Sequence, residues 1–333
     1  MNQSPLKIAI IFTNKTGVRG EITPKEIQCI SDVVPDAQIY LAESSQELID
    51  AAFDADVLIC WTTFGGHYIA EKYTLWDKNL KWIHSLSAGM EGLLSTETGR
   101  IPNLRYSTSS GIHGIPMAEH TLALMLMLTH HFPALVKNQM QRKWERPYPD
   151  ELYGKTIAIV GAGKIGQLIA KRAKAFDMRV IGVKRTPTPL PNFDQMYAST
   201  QVDDALQQAD FVVLTIPASQ ENAGFMNADR FHAMKRSAYF LNVGRGMCCD
   251  QEALVKALEE GVIAGAALDV TTPEPLPAES PLWGIENVII TPHISAETPK
   301  YMERAIQQFC KNIPLFLEGK PLIAEVFNEE DPK

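Results

Sequence analysis

Three side chains with complementary chemistry follow three apolar segments in the second half of the chain. Arg245 follows AYFLNVG, Glu274 lies four residues after GAALDV, and His293 follows NVIITP. A guanidinium binds a carboxylate through two parallel hydrogen bonds, and imidazolium is an effective proton donor near neutral pH. A neighbouring carboxylate favours the charged imidazolium and fixes its ring. These residue types predict the binding of an anionic substrate and the transfer of a proton to it.

The position of these residues decides between a catalytic and a purely structural interpretation. Taken alone, His293 is better interpreted as a capped loop histidine than as a catalytic one. The segments that precede the three residues are typical of parallel strands, and ligands of open α/β sheets bind beyond the carboxyl ends of such strands. We therefore expect the three side chains to converge in one crevice, which favours catalysis.

A glycine-rich turn occupies the middle of the chain, in the segment TIAIVGAGKIGQLIAKRAKAF at 156–176. Its glycines fit the dinucleotide fingerprint, in which the first allows a tight turn, the second admits a pyrophosphate and the third lets helix pack on strand. The alternative is a tight strand-to-helix turn without a ligand. The residues predicted to bind a nucleotide here are Gly161, Ala162, Gly163, Lys164, Ile165 and Gly166.

Strand and helix patterns alternate along the chain in two series, which predicts an α/β fold with two doubly wound parallel sheets. The strands predicted in the first series are KIAIIF (7–12), AQIYLA (37–42), DVLICW (56–61), KWIHSLSAG (81–89) and LRYSTS (104–109), with helices after Pro24 and after the capping pair Ser44 and Glu47. Those in the second series are TIAIV (156–160), RVIGV (179–183), FVVLT (211–215), AYFLNV (238–243), GAALDV (265–270) and NVIITP (287–292). A long helix from about Met117 to Lys143, interrupted or curved near Pro133, and a last helix from Pro299 to Leu317 are expected to connect two domains.

Composition excludes several classes of function. The chain has 333 residues, 45% of them apolar and 21% charged, as expected for a folded soluble protein of two domains. A net charge of −8 without a long basic run argues against nucleic acid as a partner. The most apolar helix is too short to span a membrane, and the five cysteines lack metal-binding spacing, so we expect no membrane partner and no metal. Free thiols and a first segment that resembles a strand rather than a signal peptide favour the cytoplasm.

Four ordered strings, GAGKIG, NVGRGMCCD, ALDVTTPEPLP and NVIITPHISAET, resemble the successive signatures of the D-isomer-specific 2-hydroxyacid dehydrogenases. The resemblance implies a flavodoxin-like substrate-binding domain built from residues 1–110 and 298–333. It also implies a Rossmann domain at 111–297 and a catalytic trio of Arg245, Glu274 and His293. In such an enzyme Arg245 would anchor a small 2-oxo acid and His293 would protonate its carbonyl oxygen as a nicotinamide delivers hydride.

The same resemblance implies roles for further residues. The backbone amides of Ala88 and Gly89, in SAGMEGL, would hold the substrate carboxylate, although an ordinary glycine turn is the alternative. Asp269 would lie near the nicotinamide carboxamide, or would cap a turn. The cofactor cleft would be lined by Pro217, Asn242 and Val243.

The residues that follow RVIGV indicate which nicotinamide cofactor is used. An acidic residue about 20 positions after the glycines selects NAD by bonding the ribose hydroxyls. This chain instead has Lys184, Arg185 and Thr186, which would bind the 2′-phosphate of NADP. NADP(H) is therefore predicted over NAD(H), the alternative being a basic surface turn that tolerates NAD. The glyoxylate/hydroxypyruvate reductase branch of the family is similar here, which favours reduction as the working direction.

The helix MAEHTLALMLMLTHHF is apolar around much of its surface, which predicts a homodimer. In related dimers a tryptophan after this helix reaches the partner's substrate site, and Trp144 is the candidate, unless it only anchors its loop. The histidines on or near the helix, including His120, are interpreted as structural or interfacial. The substrate side-chain pocket is expected in loops such as TTFGGHY at 62–68.

Two other functions remain compatible with these patterns. Formate or phosphonate oxidation occurs in the same superfamily, but the resemblance leads us to expect an amide at the position of Glu274 in formate dehydrogenases. A nucleotide-sensing interaction protein could retain the dehydrogenase fold, although the chain lacks the long charged extensions that would favour one.

Overall fold

A computed structural model describes residues 5–11, 22–42, 55–61, 79–94, 99 and 101–327. The chain divides into two compact units. The first combines Met1–His113 with Glu297–Lys333, and the second is Gly114–Ala296. The sequence places these boundaries a few residues away, after 110 and before 298.

The N-terminal part of the first unit has the predicted alternation of strands and helices. Its elements are β1 (Lys7–Ile11), α1 (Pro24–Val33), β2 (Gln38–Ala42), β3 (Val57–Cys60), β4 (Trp82–Ser85), α2 (Glu91–Leu94) and β5 (Arg105–Thr108). Helix α1 begins at Pro24 because Thr23 and Glu26 form a capping box that binds the first free amides of the helix. The helix predicted after Ser44 lies outside the described residues.

The second unit contains every strand of the second predicted series. Its elements are α3 (Gly114–Thr129), α4 (Phe132–Met140), β6 (Thr156–Val160), α5 (Lys164–Lys174), β7 (Arg179–Lys184), β8 (Gln195–Ala198), α6 (Val202–Leu206), β9 (Phe211–Leu214), α7 (Ala228–Ala233), β10 (Tyr239–Asn242), α8 (Gln251–Glu259), β11 (Gly265–Leu268) and β12 (Val288–Ile290). The interruption predicted near Pro133 is confirmed, since His131 has a left-handed backbone (φ 56°) that separates α3 from α4. Strand β8 was not predicted.

The C-terminal segment returns to the first unit through α9 (Tyr301–Leu317) and β13 (Glu325–Val326). The predicted start of the last helix at Pro299 is therefore two residues early. Strand β13 pairs antiparallel with β5, with Glu325 opposite Ser107, and the Glu325 carboxylate accepts a hydrogen bond from Arg105 Nε at 2.8 Å. The expectation that the tail packs back on the first domain is confirmed.

Each unit is built around one sheet, and the predicted fold class is confirmed. The first sheet has the order β13-β5-β4-β3-β1-β2 and is parallel except for β13. The second has the order β12-β11-β10-β9-β6-β7-β8 and is parallel throughout its described ladders. Among the described helices, none combines the length and apolar character required to cross a bilayer.

The strands of the second sheet are buried on both faces, as expected for a parallel sheet covered by helices. Along β6, Ile157 and Ile159 pack with α3 and α5, whereas Ala158 and Val160 belong to the core on the opposite face. Because all strands of this sheet run in the same direction, their carboxyl ends lie at one edge. The glycine turn after β6 and the polar residues after β10, β11 and β12 are consequently placed at that edge.

Candidate active site

The turn between β6 and α5 assigns a distinct geometric role to each of its three glycines. Gly161 has a φ of +108°, and a Cβ there would lie 2.6 Å from Thr215 Oγ1. A Cβ on Gly166 would lie 2.4 Å from the carbonyl oxygen of Gly161, so this position holds helix against strand. A Cβ on Gly163 would meet no protein atom within 4 Å. The turn thus needs glycine for its own packing at 161 and 166 but not at 163.

The first turn of α5 has the donors that a pyrophosphate requires. Gly163 is the N-cap, and the amides of Lys164, Ile165 and Gly166 bond to no other group of the described chain. Free N–H groups and the helix dipole at such an end favour an anion. Gly163 has no side chain that would keep a ligand away from these amides. The first turn of α5 therefore fits a dinucleotide phosphate.

The predicted 2′-phosphate residues lie beside this turn. The amides of Gly161 and Ala162 both donate to the carbonyl of Val183, which fixes the turn against the end of β7. Lys184 is the last residue of that strand and forms no ion pair within the described part of the chain. Arg185 is exposed and lies 3.2 Å from Glu221, and Thr186 is exposed as well.

Arg245 is presented by a turn that the buried side chain of Asn242 organises. Asn242 ends β10 and is 1% exposed; its Oδ1 accepts from the amide of Gly244 and its Nδ2 donates to the carbonyl of Arg245, both at 3.1 Å. The intervening Val243 is buried. Half-buried Arg245 donates from Nη1 to the carbonyl of Gly244 at 2.8 Å, and its guanidinium forms no ion pair with a described carboxylate.

His293 and Glu274 are in direct contact. Nδ1 of His293 lies 2.8 Å from Oε2 of Glu274, whose other oxygen accepts from the amide of Thr271 at 3.1 Å. Since an ionised carboxylate only accepts hydrogen bonds, the contact places a proton on Nδ1. Nε2 has no partner among the described residues, so this nitrogen is free to form a further hydrogen bond.

Asp269 holds the loop that carries His293. Its carboxylate is 1% exposed and accepts from the hydroxyl of Thr291 at 2.6 Å and from the amides of Ile294 and Ser295 at 3.0 Å. Its carbonyl accepts from the amide of His293 at 2.8 Å. Of the two roles considered for Asp269, capping is the one these contacts display; its proximity to a nicotinamide stays a prediction.

The chain is similar to known proteins over most of its length. Residues 122–295 match the family model of the D-isomer specific 2-hydroxyacid dehydrogenase NAD binding domain. A glyoxylate reductase of Thermofilum pendens is 33% identical over 304 residues, which cover 88% of this chain and 87% of that protein. The chain belongs to the D-isomer specific 2-hydroxyacid dehydrogenases.

Solved structures of the family share the fold over nearly the whole chain. A family member from Aeromonas salmonicida superimposes with a TM-score of 0.84 at 30% identity, covering 97% of this chain and 99% of that one. A D-isomer specific 2-hydroxyacid dehydrogenase from Xanthobacter autotrophicus, solved in complex with NADPH and MES, gives a TM-score of 0.81 at 25% identity, with 98% and 99% covered. The predicted resemblance is therefore confirmed, and the unit at Gly114–Ala296 is the NAD(P)-binding domain of this dehydrogenase.

The other residues predicted to bind substrate or cofactor lie in different segments of the chain. Ala88 and Gly89 belong to the first unit, in the segment that follows β4. Pro217 follows β9 and is exposed, with its carbonyl accepting from Asn222 Nδ2 at 2.9 Å. Trp144 follows α4 and is 93% exposed. The TTFGGHY loop lies outside the described residues. The roles of all these residues stay predictions.

Two residues near the site of the dehydrogenase carry contacts that sequence reasoning missed. Thr291 stands two positions before His293, inside a string already noticed, yet its bond to Asp269 spans 22 residues. His120 on α3 lies 3.1 Å from the Thr291 hydroxyl and 3.8 Å from Asp269. Its place on an apolar helix suggested only a structural or interfacial role, and no sequence spacing links it to residues 150 positions later.

Proposed function

We propose that this dehydrogenase reduces a small 2-oxo acid, such as glyoxylate or hydroxypyruvate, to the D-2-hydroxy acid with NADPH. The observation that carries the proposal is the 2.8 Å contact between His293 Nδ1 and Glu274, which leaves Nε2 as the nitrogen that can deliver a proton. An acid with this arrangement suits a carbonyl oxygen that becomes negative during the reaction. Curated relatives such as the Thermofilum pendens glyoxylate reductase support the substrate class.

Each residue then has a defined task. Arg245 is half-buried and forms no ion pair with a described carboxylate; it binds the substrate carboxylate through two hydrogen bonds and draws electrons from the adjacent carbonyl. The backbone amides of Ala88 and Gly89 are proposed to add donors to the same carboxylate. The nicotinamide cofactor supplies hydride when it is bound. His293 donates its Nε2 proton to the carbonyl oxygen, and Glu274 stabilises the imidazolium before transfer and keeps its ring in place.

The cofactor phosphates are assigned to the first turn of α5, and the 2′-phosphate to Lys184, Arg185 and Thr186. Lys184 has no competing carboxylate among the described residues, and the exposed Arg185 can exchange Glu221 for a phosphate because surface ion pairs are weak. The Xanthobacter autotrophicus structure, which contains NADPH, supports this choice of cofactor. Pro217, Asn242, Val243 and Asp269 are proposed to form the nicotinamide end of the cleft.

The assembly proposed is a homodimer in the cytoplasm. Large apolar side chains are exposed on α4 and the segment after it, namely Phe132, Val136, Met140, Trp144, Tyr148 and Tyr153. A groove of about 590 Å³ adjoins this patch, and its lining includes Phe132, Leu135, Gln139 and Trp144. A second copy of this chain would cover the patch, and Trp144 would then contact the partner. The five cysteines are all free, as a reducing compartment requires.

The test combines a substrate panel with one variant. Glyoxylate, hydroxypyruvate, pyruvate and phenylpyruvate are assayed with NADPH and with NADH, and NADPH binding is measured by fluorescence titration. We expect turnover of the small 2-oxo acids with NADPH. His293→Ala should lower kcat by about 100-fold or more, because proton transfer contributes that much, and leave the Kd for NADPH within about twofold. An equal loss of cofactor affinity, or no turnover of any 2-oxo acid by the unmodified protein, would contradict the proposal.

A further inference from the structure

We propose that His120 is a positioning residue for the reaction, which holds the His293 loop through Thr291 and Asp269. The inference rests on the proposed role of His293 as proton donor. His120 lies on α3, far from His293 in sequence, and nothing in the sequence pattern assigns it to the site. Its imidazole nevertheless begins a series of hydrogen bonds that runs through Thr291 and Asp269 to the backbone of the loop 291–295.

The chemistry of His120, Thr291 and Asp269 determines which group donates and which accepts in each of these hydrogen bonds. The Asp269 carboxylate can only accept, so the single hydroxyl proton of Thr291 is donated to it at 2.6 Å. Thr291 Oγ1 must therefore accept at its 3.1 Å contact with Nε2 of His120. The imidazole then carries its proton on Nε2, and hydrogen bonds in such a series strengthen one another.

The electrostatic surroundings keep this donor in place at neutral pH. Burial lowers the pKa of His120, and the charge of Asp269, 3.8 Å away, opposes that effect in part. The neutral imidazole with its proton on Nε2 is thus the form that binds Thr291. Protonation at lower pH would leave the Nε2 donor intact, so the hydrogen bond does not depend on the charge of the ring.

The loop 291–295, where this series of hydrogen bonds ends, has an unfavourable backbone conformation at His293. His293 has a φ of +53°, a left-handed backbone that residues with a Cβ rarely adopt. It is retained because the Asp269 carbonyl binds the His293 amide and the Asp269 carboxylate binds the next two amides. The same Oδ1 atom serves Thr291 and Ile294, so the orientation of the Thr291 hydroxyl affects the support of the catalytic loop.

Helix α3 holds His120 in place because the helix is packed into the core of its unit. Its neighbours Ala118, Thr121 and Leu122 are buried, and Leu122 packs in the same core as Ile289 of β12. Thr291 follows β12 directly. The two ends of the His120–Thr291 contact therefore stand on elements that contribute to the same core, and His120 prevents Thr291 from rotating away from Asp269.

The test compares His120→Leu, which removes the donor, with His120→Gln, whose side-chain amide places a donor near the position of Nε2. The single-turnover rate constant of 2-oxo acid reduction and the Kd for NADPH are measured. His120→Leu should reduce the rate constant about tenfold or more, since small misplacement of a catalytic group is costly, with the Kd unchanged within about twofold. His120→Gln should recover most of the rate. Equal rates for all three proteins, or loss of the rate in both variants, would overturn the inference.

A double-mutant cycle separates positioning from general stability. Thr291→Val removes the hydroxyl that His120 binds, so combining it with His120→Leu should add little to the loss of rate from Thr291→Val alone. Multiplicative losses would show that the residues act separately and would overturn the inference. His293→Ala is measured in the same series. If it keeps the rate of the unmodified protein, the proposed function and this inference both fail; if it loses the rate while His120→Leu does not, only this inference fails.

Discussion

His293 combines an exposed imidazole with a left-handed backbone. A left-handed residue with a side chain costs about 1 to 2 kcal/mol, and Asp269 offsets this cost through bonds to three consecutive amides. Such strain persists where the surrounding structure determines it and is concentrated at functional sites. The strained backbone at His293 therefore supports the catalytic role that we propose for this residue.

The basic residues after β7 lead to a prediction about cofactor choice. Replacing Lys184 and Arg185 together by Gln removes the two charge-assisted contacts proposed for the 2′-phosphate, each worth up to about 1 kcal/mol at such exposed positions. We expect the KM for NADPH to rise about tenfold or more and the KM for NADH to change little. Initial rates with both cofactors measure the effect, and Lys171→Gln, on exposed α5 surface of the same unit, is the control. An equal rise for both cofactors would show that the pair does not bind the phosphate.

At the scale of elements, Gly166 and Gly163, at the start of α5, differ in whether the fold has room for a side chain. A Cβ on Gly166 would lie 2.4 Å from the Gly161 carbonyl and 3.0 Å from Ile159 Cγ2, so Gly166→Ala forces helix and strand apart. We expect it to lower the free energy of unfolding by about 1 to 3 kcal/mol. Thermal melting without cofactor measures the loss.

Gly163→Ala is the matched control for that prediction. Its added Cβ meets no protein atom within 4 Å and its φ of −83° suits alanine, so the melting temperature should stay the same. NADPH binding should nevertheless weaken, because the methyl group occupies the surface assigned to the pyrophosphate. Unchanged NADPH affinity of Gly163→Ala would place the phosphates elsewhere.

Strands β4 and β5 of the first unit enclose a histidine whose hydrogen bonds fix it as neutral. Trp82 Nε1 donates to Ser107 Oγ, which lies 2.8 Å from Nδ1 of His84. Ser109 donates to the carbonyl of Ser85 and accepts from Nε2 of His84 at 3.3 Å. The imidazole is fully buried; in its neutral form the proton is on Nε2, and Nδ1 accepts from the Ser107 hydroxyl.

This network predicts sensitivity of the first unit to acid. Burial lowers the pKa of His84 to about 3 from its ordinary value of 6.5. Below pH 6.5 the unfolded chain binds a proton that the folded chain rejects, so the free energy of unfolding falls as the pH decreases, by up to about 1.4 kcal/mol per pH unit. His84→Gln should reduce this slope between pH 6.5 and 5 in urea titrations, whereas replacing the exposed His232 by Gln should retain it. Identical slopes in all three proteins would contradict the prediction.

The elements that the sequence predicts correctly are those with strong periodicity and clear ends. Five buried residues before a glycine turn define β6, and Pro24 after a capping threonine defines the start of α1. Strand β8 was missed because QMYA is only half-buried at the edge of its sheet, and β13 because two residues form no pattern. The break at His131 could be inferred from Pro133, but its left-handed backbone could not.

At the scale of the whole molecule, the order of the strands explains which parts of the site are visible in the sequence. Parallel strands bring their ends to one edge, so the sequence can place Arg245, Glu274 and His293 together without knowing any distance. The residues that hold these three side chains in place cannot be found in the same way. The contact of His120 with Thr291 joins positions 171 residues apart, and nothing in their types distinguishes it from an ordinary core contact. Packing, rather than pattern, determines the outer layer of the site.

The exposed patch on α4 leads to a prediction about assembly. Val136 and Met140 stand one helical turn apart and are 52% and 82% exposed, so neither supports the fold of a single chain. The adjacent groove also contains Arg142, Lys143 and Arg146. In a two-fold dimer, Val136→Lys with Met140→Lys would remove apolar contact area and add like charges to a basic surface, which opposes association.

We expect the unmodified protein to sediment at twice the 37.0 kDa chain mass and the double variant at the chain mass, with unchanged circular dichroism. Leu317→Lys, on exposed surface of α9 in the first unit, should remain dimeric and serves as the control. Aspartate would be a weaker probe, because it could pair with the groove's cations across the interface. If the double variant keeps the mass of the unmodified protein, the α4 patch is not the dimer interface; if the unmodified protein sediments as a single chain, Trp144 has no partner subunit to reach.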